Sequence, residues 1–72
     1  MQDVHAILAR NLRLARARVG VSQEELAARA SIDRTYVSGI ERGVRNPTVA
    51  ILARLAAELD TTAADLLTQR DT

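Results

Sequence analysis

Apolar residues recur every three to four positions along most of the chain, and runs of alternating β-branched residues are absent. This spacing is typical of helices that bury one face, so the pattern predicts an all-α fold. We expect five helices: about residues 3–19, from the Ser22 cap to about Ala30, from the Asp33 cap to Gly43, from Pro47 or Thr48 to Leu59, and about residues 63–69.

Capping residues mark several of these boundaries. The run Ser22-Gln23-Glu24-Glu25 is a capping box, in which the Ser22 hydroxyl accepts from the Glu25 amide and Glu25 reaches back to the Ser22 amide. Thr62 is the expected N-cap of helix five, and Pro47 is favourable at the first position of helix four.

The predicted core is a set of aliphatic stripes on one face of each helix. Its members are Val4, Leu8, Leu12, Ala15 and Val19 in helix one, Val37 and Ile40 in helix three, and Leu52, Leu55, Ala56 and Leu59 in helix four. Leu14 falls outside the stripe, either as an exposed apolar residue or as part of an interface. Residues 1–72 are enough for one small domain with a marginal core, so we expect a partner chain.

Composition narrows the functional classes. The chain has no cysteine, so disulfides and thiolate metal sites are excluded. It has no apolar run of 18 residues, and we expect a soluble cytoplasmic protein without a membrane partner. No nucleophile–base constellation, glycine-rich phosphate loop or metal-ligand cluster is present. We therefore expect neither an enzyme nor a cofactor, metal or small-molecule ligand.

The net charge of +1 conceals an asymmetry along the chain. Residues 1–46 hold eight arginines and five acidic residues, whereas residues 47–72 hold two arginines and four acidic residues. This distribution favours an anionic partner on one face. Every basic residue is arginine, whose planar fork suits phosphates and guanine edges.

The order of residues in helices two and three resembles the helix-turn-helix unit of phage repressor and Cro-type (XRE) regulators. The matching positions are Gln23, Leu26, Ala27, Ile32, Val37, Ile40 and Glu41, with Ser31 in the turn. The resemblance covers about residues 7–67 and implies a compact five-helix, lambda-repressor-like DNA-binding domain. Within it, "DRTYVSGIERGVRNPT" is most similar to controller proteins of restriction–modification systems. Ser31 replaces a frequent glycine, and a left-handed conformation there would store about 1 kcal/mol.

This resemblance implies a set of DNA contacts. The first turn of a recognition helix meets base edges in the major groove, where an arginine can donate twice to guanine O6 and N7. Thr35 can bond a base edge or contact a thymine methyl, and Tyr36 can contact a thymine methyl or bond a phosphate. The predicted base contacts are Arg34, Thr35, Tyr36 and Ser38. The predicted backbone contacts are Ser22, Gln23, Arg42, Arg45 and Asn46.

Several of these residues also allow structural interpretations. Arg34 and Thr35 could be solvated, Tyr36 could lie at the edge of the core, and Arg45 and Asn46 could be ordinary loop residues, with Asn46 capping helix four. Gly39 either lets DNA approach closely or serves helix packing. Arg10 and Arg13 are interpreted as solvated. Arg16 and Glu41 match a family ion pair that bridges helices one and three.

The expected function is sequence-specific binding of double-stranded DNA by a small homodimeric transcriptional regulator acting on an inverted repeat. Small members of the family often pair through their C-terminal helices, to which Ile51, Leu55 or Leu67 could contribute. Two alternatives remain open. One is an antitoxin-like autoregulator whose main partner is another protein, and the other is a protein-interaction module that has lost DNA binding.

Overall fold

The computed structural model describes residues 3–69, which contain five α-helices and no β-strand. The helices are α1 (Val4–Val19), α2 (Gln23–Ala30), α3 (Arg34–Glu41), α4 (Val49–Glu58) and α5 (Ala63–Leu66). The predicted all-α class and the order of the helices are therefore confirmed. Small and aliphatic residues pack α2 against α3 and α4, and α4 against α5. The first helix, α1, packs against α3 and α5.

The start of α4 and the end of α5 differ from the prediction. Pro47 precedes α4 instead of beginning it, because Thr48 is the N-cap and its hydroxyl accepts from the Ile51 amide at 3.1 Å. Asn46 consequently does not cap this helix. The last helix, α5, stops at Leu66, so it is a single turn.

The Ser22 capping box forms in only one direction. The Ser22 hydroxyl accepts from the Glu25 amide at 3.0 Å, as predicted. The prediction that Glu25 reaches back to the Ser22 amide is wrong. The Glu25 carboxylate instead accepts from Arg29 at 3.0 Å, one helical turn later. Residues four positions apart are neighbours on a helix surface, which makes this pairing accessible. At α5, the Thr62 hydroxyl accepts from the Asp65 amide at 3.0 Å, which confirms that cap.

One aliphatic core joins all five helices. Its fully buried large side chains are Leu12, Leu26, Val37, Ile40, Leu55, Leu59 and Leu66. Two predicted members of the α1 stripe are wrong, because Val4 is 49% exposed and Val19 is 39% exposed. They are the terminal residues of a 16-residue helix whose buried positions run only from Leu8 to Ala15.

The turn between α2 and α3 is held from both sides. Ser31 adopts the left-handed conformation, with φ 59° and ψ 44°, so the strain considered for this position is present. The Ile32 amide donates to the Ala27 carbonyl at 2.9 Å, while Ala27 is buried where the helices meet. From α4, the Arg54 guanidinium donates to the carbonyls of Ala30 and Ser31. A cation at a helix C-terminus also meets the negative end of the helix dipole.

Asn11 ties α1 to the end of α5. Its side-chain nitrogen lies 3.4 Å, 3.0 Å and 2.8 Å from the carbonyl oxygens of Asp65, Leu66 and Thr68, respectively. The last carbonyls of a helix lack donor partners from a following turn, although the Asp65 carbonyl also accepts from the Thr68 amide at 3.2 Å. The buried Asn11 amide thus donates to the carbonyl groups at the C-terminal end of α5. No local sequence pattern predicts this role.

Candidate nucleic-acid interface

The N-terminal turn of α3 projects polar side chains away from the core. Asp33 caps the helix, and its Oδ1 accepts from the Thr35 amide at 2.8 Å. Arg34 and Thr35 are both exposed, whereas Val37 and Ile40 on the opposite face are buried. The apolar face of α3 therefore fixes which of its residues reach solvent.

The N-termini of α2 and α3 meet at one shallow surface depression. Five residues line it: Arg16, Ser22, Gln23, Glu24 and Arg34. Three of these were predicted to touch DNA, and the structure brings them together although they are up to twelve positions apart in the chain. Exposed helix N-termini carry partial positive charge and free amides that suit phosphate oxygens. Glu24 is the one acidic residue at this depression.

The buried carboxylate of Glu41 fixes the relative positions of two residues that line this depression, Arg16 and Gln23. Arg16 meets Glu41 through two bonds, Nε to Oε2 at 2.8 Å and Nη2 to Oε1 at 3.0 Å. Gln23 Nε2 donates to the same Oε1 at 3.0 Å. The expected link between Arg16 and Glu41 is thus present, and it connects α1, α2 and α3 at a single side chain. The Glu41 side chain is only 4% exposed.

The electrostatics of Glu41 follow from these contacts. Burial alone raises the pKa of a carboxyl group, because it disfavours the charged form. At Glu41 the hydrogen bonds from Arg16 and Gln23, with the charges of Arg16 and Arg13, outweigh burial and lower the pKa below its ordinary value. The bond to Glu41 in turn raises the pKa of Arg16. Both groups therefore stay charged near neutral pH.

Arg13 is not merely solvated. Its Nη1 donates to the Glu41 backbone carbonyl at 2.6 Å, near the C-terminus of α3. Arg13 also lines a second depression that contains Arg42 and Gly43. Arg42 lies at the opposite end of α3 from Arg34, about 12 Å along an eight-residue helix. The structure therefore separates Arg42 from the group around Arg34.

Tyr36, the only aromatic residue, supports the loop that follows α3. Its ring packs against the core, and its hydroxyl accepts from the Thr48 amide at 3.3 Å. The Arg45 guanidinium lies over the ring, with its carbon 4.3 Å from the ring centroid. The core-edge interpretation of Tyr36 is thus confirmed, and the exposed Arg45 is not an unsupported loop residue.

Gly39 makes room for this loop. A Cβ added at residue 39 would lie 2.9 Å from the Arg45 Cβ, closer than side chains normally approach. The Gly39 carbonyl also accepts from the amides of Val44 and Arg45 at 3.0 Å and 3.1 Å. Gly39 is buried, so the packing interpretation is confirmed and the DNA-approach interpretation is wrong.

The remaining predicted contacts occupy other places. Ser38 is half-buried on α3, and its hydroxyl makes no hydrogen bond within residues 3–69. Asn46 is exposed and lines an apolar groove that does not include Arg34. That groove is lined mainly by Val4, Leu8, Pro47, Val49, Leu52 and Leu67.

Three residues were suggested for pairing between chains. The suggestion is wrong for Leu55, because its side chain is completely buried in the core. Ile51 is half-buried and Leu67 is 41% exposed, so both reach the surface. Leu14 is 50% exposed, on the side of α1 that lines a separate small pocket.

Two other kinds of site are relevant to residues 3–69, a membrane span and a metal centre. No helix in this range combines the length and apolar character needed to cross a membrane. The same residues contain no group of three or more histidine, cysteine or acidic side chains placed to hold a metal ion.

Comparison with known proteins matches residues 12–66 to the helix-turn-helix family. A hypothetical transcription factor of Neisseria meningitidis serogroup B is 47% identical over 66 residues; the alignment covers 92% of this chain and 62% of that relative. The restriction–modification controller protein C.AhdI of Aeromonas hydrophila has a TM-score of 0.82 at 39% identity, over 86% of this chain and 94% of that one. The biofilm master regulator SinR, solved in complex with DNA, has a TM-score of 0.80 at 32% identity, over 85% of this chain and 98% of that one.

Proposed function

The chain belongs to the helix-turn-helix family, and from this premise we propose that it is a sequence-specific, double-stranded DNA-binding transcriptional regulator. It acts as a homodimer on an inverted-repeat operator, and residues 1–72 serve as one DNA-binding domain. The similarity to C.AhdI makes control of a restriction–modification system the first regulatory role to test. This function entails a cytoplasmic location.

The observation that carries the proposal is the depression where Arg34 meets Ser22 and Gln23. It offers an arginine for a base edge beside a helix N-terminus for a phosphate, which are the two kinds of contact that sequence-specific binding needs. Gln23 is oriented by its bond to Glu41, so the two helices present these groups as one unit. The likeness to SinR, solved with DNA, supports the same use of this surface.

Size supports the dimer. The recognition helix α3 has only eight residues and can reach a few base pairs, too few for a rare site. Two symmetric copies would bind half-sites one helical turn apart, about 10 base pairs between centres. Leu67 is exposed and Ile51 is half-buried, so both present apolar surface that a second copy could cover.

Selection of bound duplexes from a random DNA pool, followed by sequencing, tests this proposal. We expect an inverted repeat with half-site centres about 10 base pairs apart, and a mass in solution that corresponds to two chains on the DNA. Enrichment of a single half-site would contradict the dimer. Enrichment of no sequence by folded protein at low salt would contradict DNA reading, and a search for a protein partner would then follow.

A further inference from the structure

The hydroxyl of Thr35 is committed to a partner within the protein. Its Oγ1 lies 2.7 Å from Asp33 Oδ1, the same oxygen that accepts from the Thr35 amide. An ionised carboxylate can only accept hydrogen bonds, whereas a hydroxyl has a single proton to donate. That proton therefore lies between Thr35 and Asp33.

The ionised state of Asp33 is secure near neutral pH. The hydrogen bonds from the Thr35 hydroxyl and amide, together with the charge of Arg45, outweigh desolvation and lower the pKa of Asp33 below its ordinary value. Asp33 thus has no proton of its own to offer. The direction of the bond between the two side chains is fixed by chemistry, because the reverse arrangement would need a protonated carboxyl group.

The hydroxyl oxygen of Thr35 keeps its lone pairs on an exposed side chain. It can accept a hydrogen bond from outside, but it cannot donate one while bonded to Asp33. In the major groove the donors are the exocyclic amino groups of adenine and cytosine, whereas N7, O6 and O4 are acceptors.

We propose that Thr35 contributes to sequence specificity as an acceptor, reading the N6 amino group of adenine or the N4 amino group of cytosine, and that Asp33 is the positioning residue that imposes this polarity. The inference rests on the proposed DNA-binding function. It assigns complementary tasks to neighbouring residues: Arg34 supplies donors to acceptor edges, and Thr35 supplies an acceptor to a donor edge. It also gives an acidic residue on this basic surface a task beyond capping α3.

The test begins with the operator obtained by selection. Thr35→Val removes the hydroxyl but keeps the shape and a methyl group, and Thr35→Ser keeps the hydroxyl but removes the methyl. We expect Thr35→Val to weaken binding about 3- to 10-fold, the usual size of one neutral hydrogen bond, with relaxed preference at one base pair. Thr35→Ser should retain that preference.

Base analogues then identify the atom that is read. At the base pair relaxed by Thr35→Val, the amino base is replaced by purine or 2-pyrimidinone, which lack the exocyclic amino group. We expect the natural protein to lose as much affinity as it does with Thr35→Val, and the variant to lose nothing further. Replacing N7 of a purine at that pair by carbon should cost both proteins equally.

Asp33→Asn tests the positioning role. The asparagine oxygen can still cap α3, but the amide no longer forces the hydroxyl proton inward. We expect unchanged helix content by circular dichroism and a reduced penalty for removing the amino group. A capping role alone would leave that penalty unchanged.

Two kinds of failure are distinguishable. If no sequence is selected, the proposed function fails and Thr35 has nothing to read. If a site is selected but Thr35→Val alters no position, the inference about Thr35 is overturned while the function stands. Two other results would overturn it in the same way. If the effect of Thr35→Val disappeared when purine N7 is replaced by carbon, Thr35 would be donating to a base acceptor. If the effect of Thr35→Ser disappeared when thymine is replaced by uracil, Thr35 would be contacting the thymine methyl group.

Discussion

Arg45 and Tyr36 form a stacked pair, with the guanidinium carbon 4.3 Å from the ring centroid. Such a contact at an exposed site contributes about 0.5–1 kcal/mol. It holds a long, flexible side chain on the same surface as the start of α3, so its main effect should be on binding. We expect Arg45→Ala to cost less DNA affinity in a Tyr36→Leu background than in the natural protein.

The control for this cycle is Tyr36→Phe, which keeps the ring but removes the hydroxyl that accepts from Thr48. In that background, Arg45→Ala should cost as much as it does in the natural chain. Fluorescence anisotropy with the selected operator measures the DNA affinity of each protein, with and without Arg45→Ala. Equal costs in all three backgrounds would mean that the ring does not position Arg45.

Gly39→Ala should destabilise the protein, although alanine is favoured over glycine in a helix by about 1 kcal/mol. The new Cβ would lie 2.9 Å from the Arg45 Cβ, so the loop after α3 would have to move. We expect a lower midpoint of thermal unfolding and weaker DNA binding. Arg45→Gly removes the opposing Cβ and should relieve the effect in the double variant, whereas Arg45→Ala retains that atom and should not. A more stable single variant would contradict this account.

Arg34 and Arg45 should differ in how they affect specificity. Arg34→Ala is expected to cost about 1–3 kcal/mol on the selected site and to relax preference at one base pair, as removal of a bidentate base contact does. Arg45→Ala should weaken all sequences similarly and reduce the salt slope by about one, as loss of a phosphate contact does. Titrations on specific and scrambled duplexes at several salt concentrations distinguish the two. An unchanged preference in Arg34→Ala would show that α3 is placed in the wrong register.

Much of the fold could be predicted from the sequence, because helix caps and the spacing of aliphatic residues are local features of the chain. The Ser22 and Thr62 caps follow from a hydroxyl three positions before an acidic residue, and both are present. The aliphatic spacing also identified the interior of α3, where Val37 and Ile40 are buried. Helix ends were less predictable, since Thr48 and Pro47 both favour an N-terminus and only the folded loop decides between them.

The long-range polar contacts could not be predicted in the same way. Asn11 meets carbonyls more than fifty residues away, and Arg54 meets the turn after α2 from another helix. Neither contact has a spacing that a single sequence displays. The bridge between Arg16 and Glu41 was expected only because a family resemblance supplied it. Gly39 shows the limit most clearly, because its two interpretations differ only in which atoms fold against it.

Glu41→Ala should mainly lower stability. It leaves Arg16 and Gln23 without the acceptor that joins three helices, at an expected cost of about 1–3 kcal/mol. Arg16 retains its bond to the Val21 carbonyl at 3.1 Å, which limits the loss. Chemical denaturation at neutral pH measures the difference, with Glu24→Ala as the exposed acidic control. Retained stability in Glu41→Ala would rule out an important role for the bridge.

The same carboxylate should make stability fall in acid. The pKa of Glu41 is lower in the folded chain than its ordinary value of 4.5, so the unfolded chain takes up a proton first as the pH falls. The stabilisation is thus fully present above about pH 4.5 and is lost as the pH falls from there through the folded pKa. Glu41→Gln has no proton to gain at this position. We expect its deficit relative to the natural protein to be constant between pH 7 and 5 and to shrink below pH 4.5, in urea denaturation at each pH. Parallel curves down to pH 3 would contradict the assignment, because the acid sensitivity would then arise from other carboxylates.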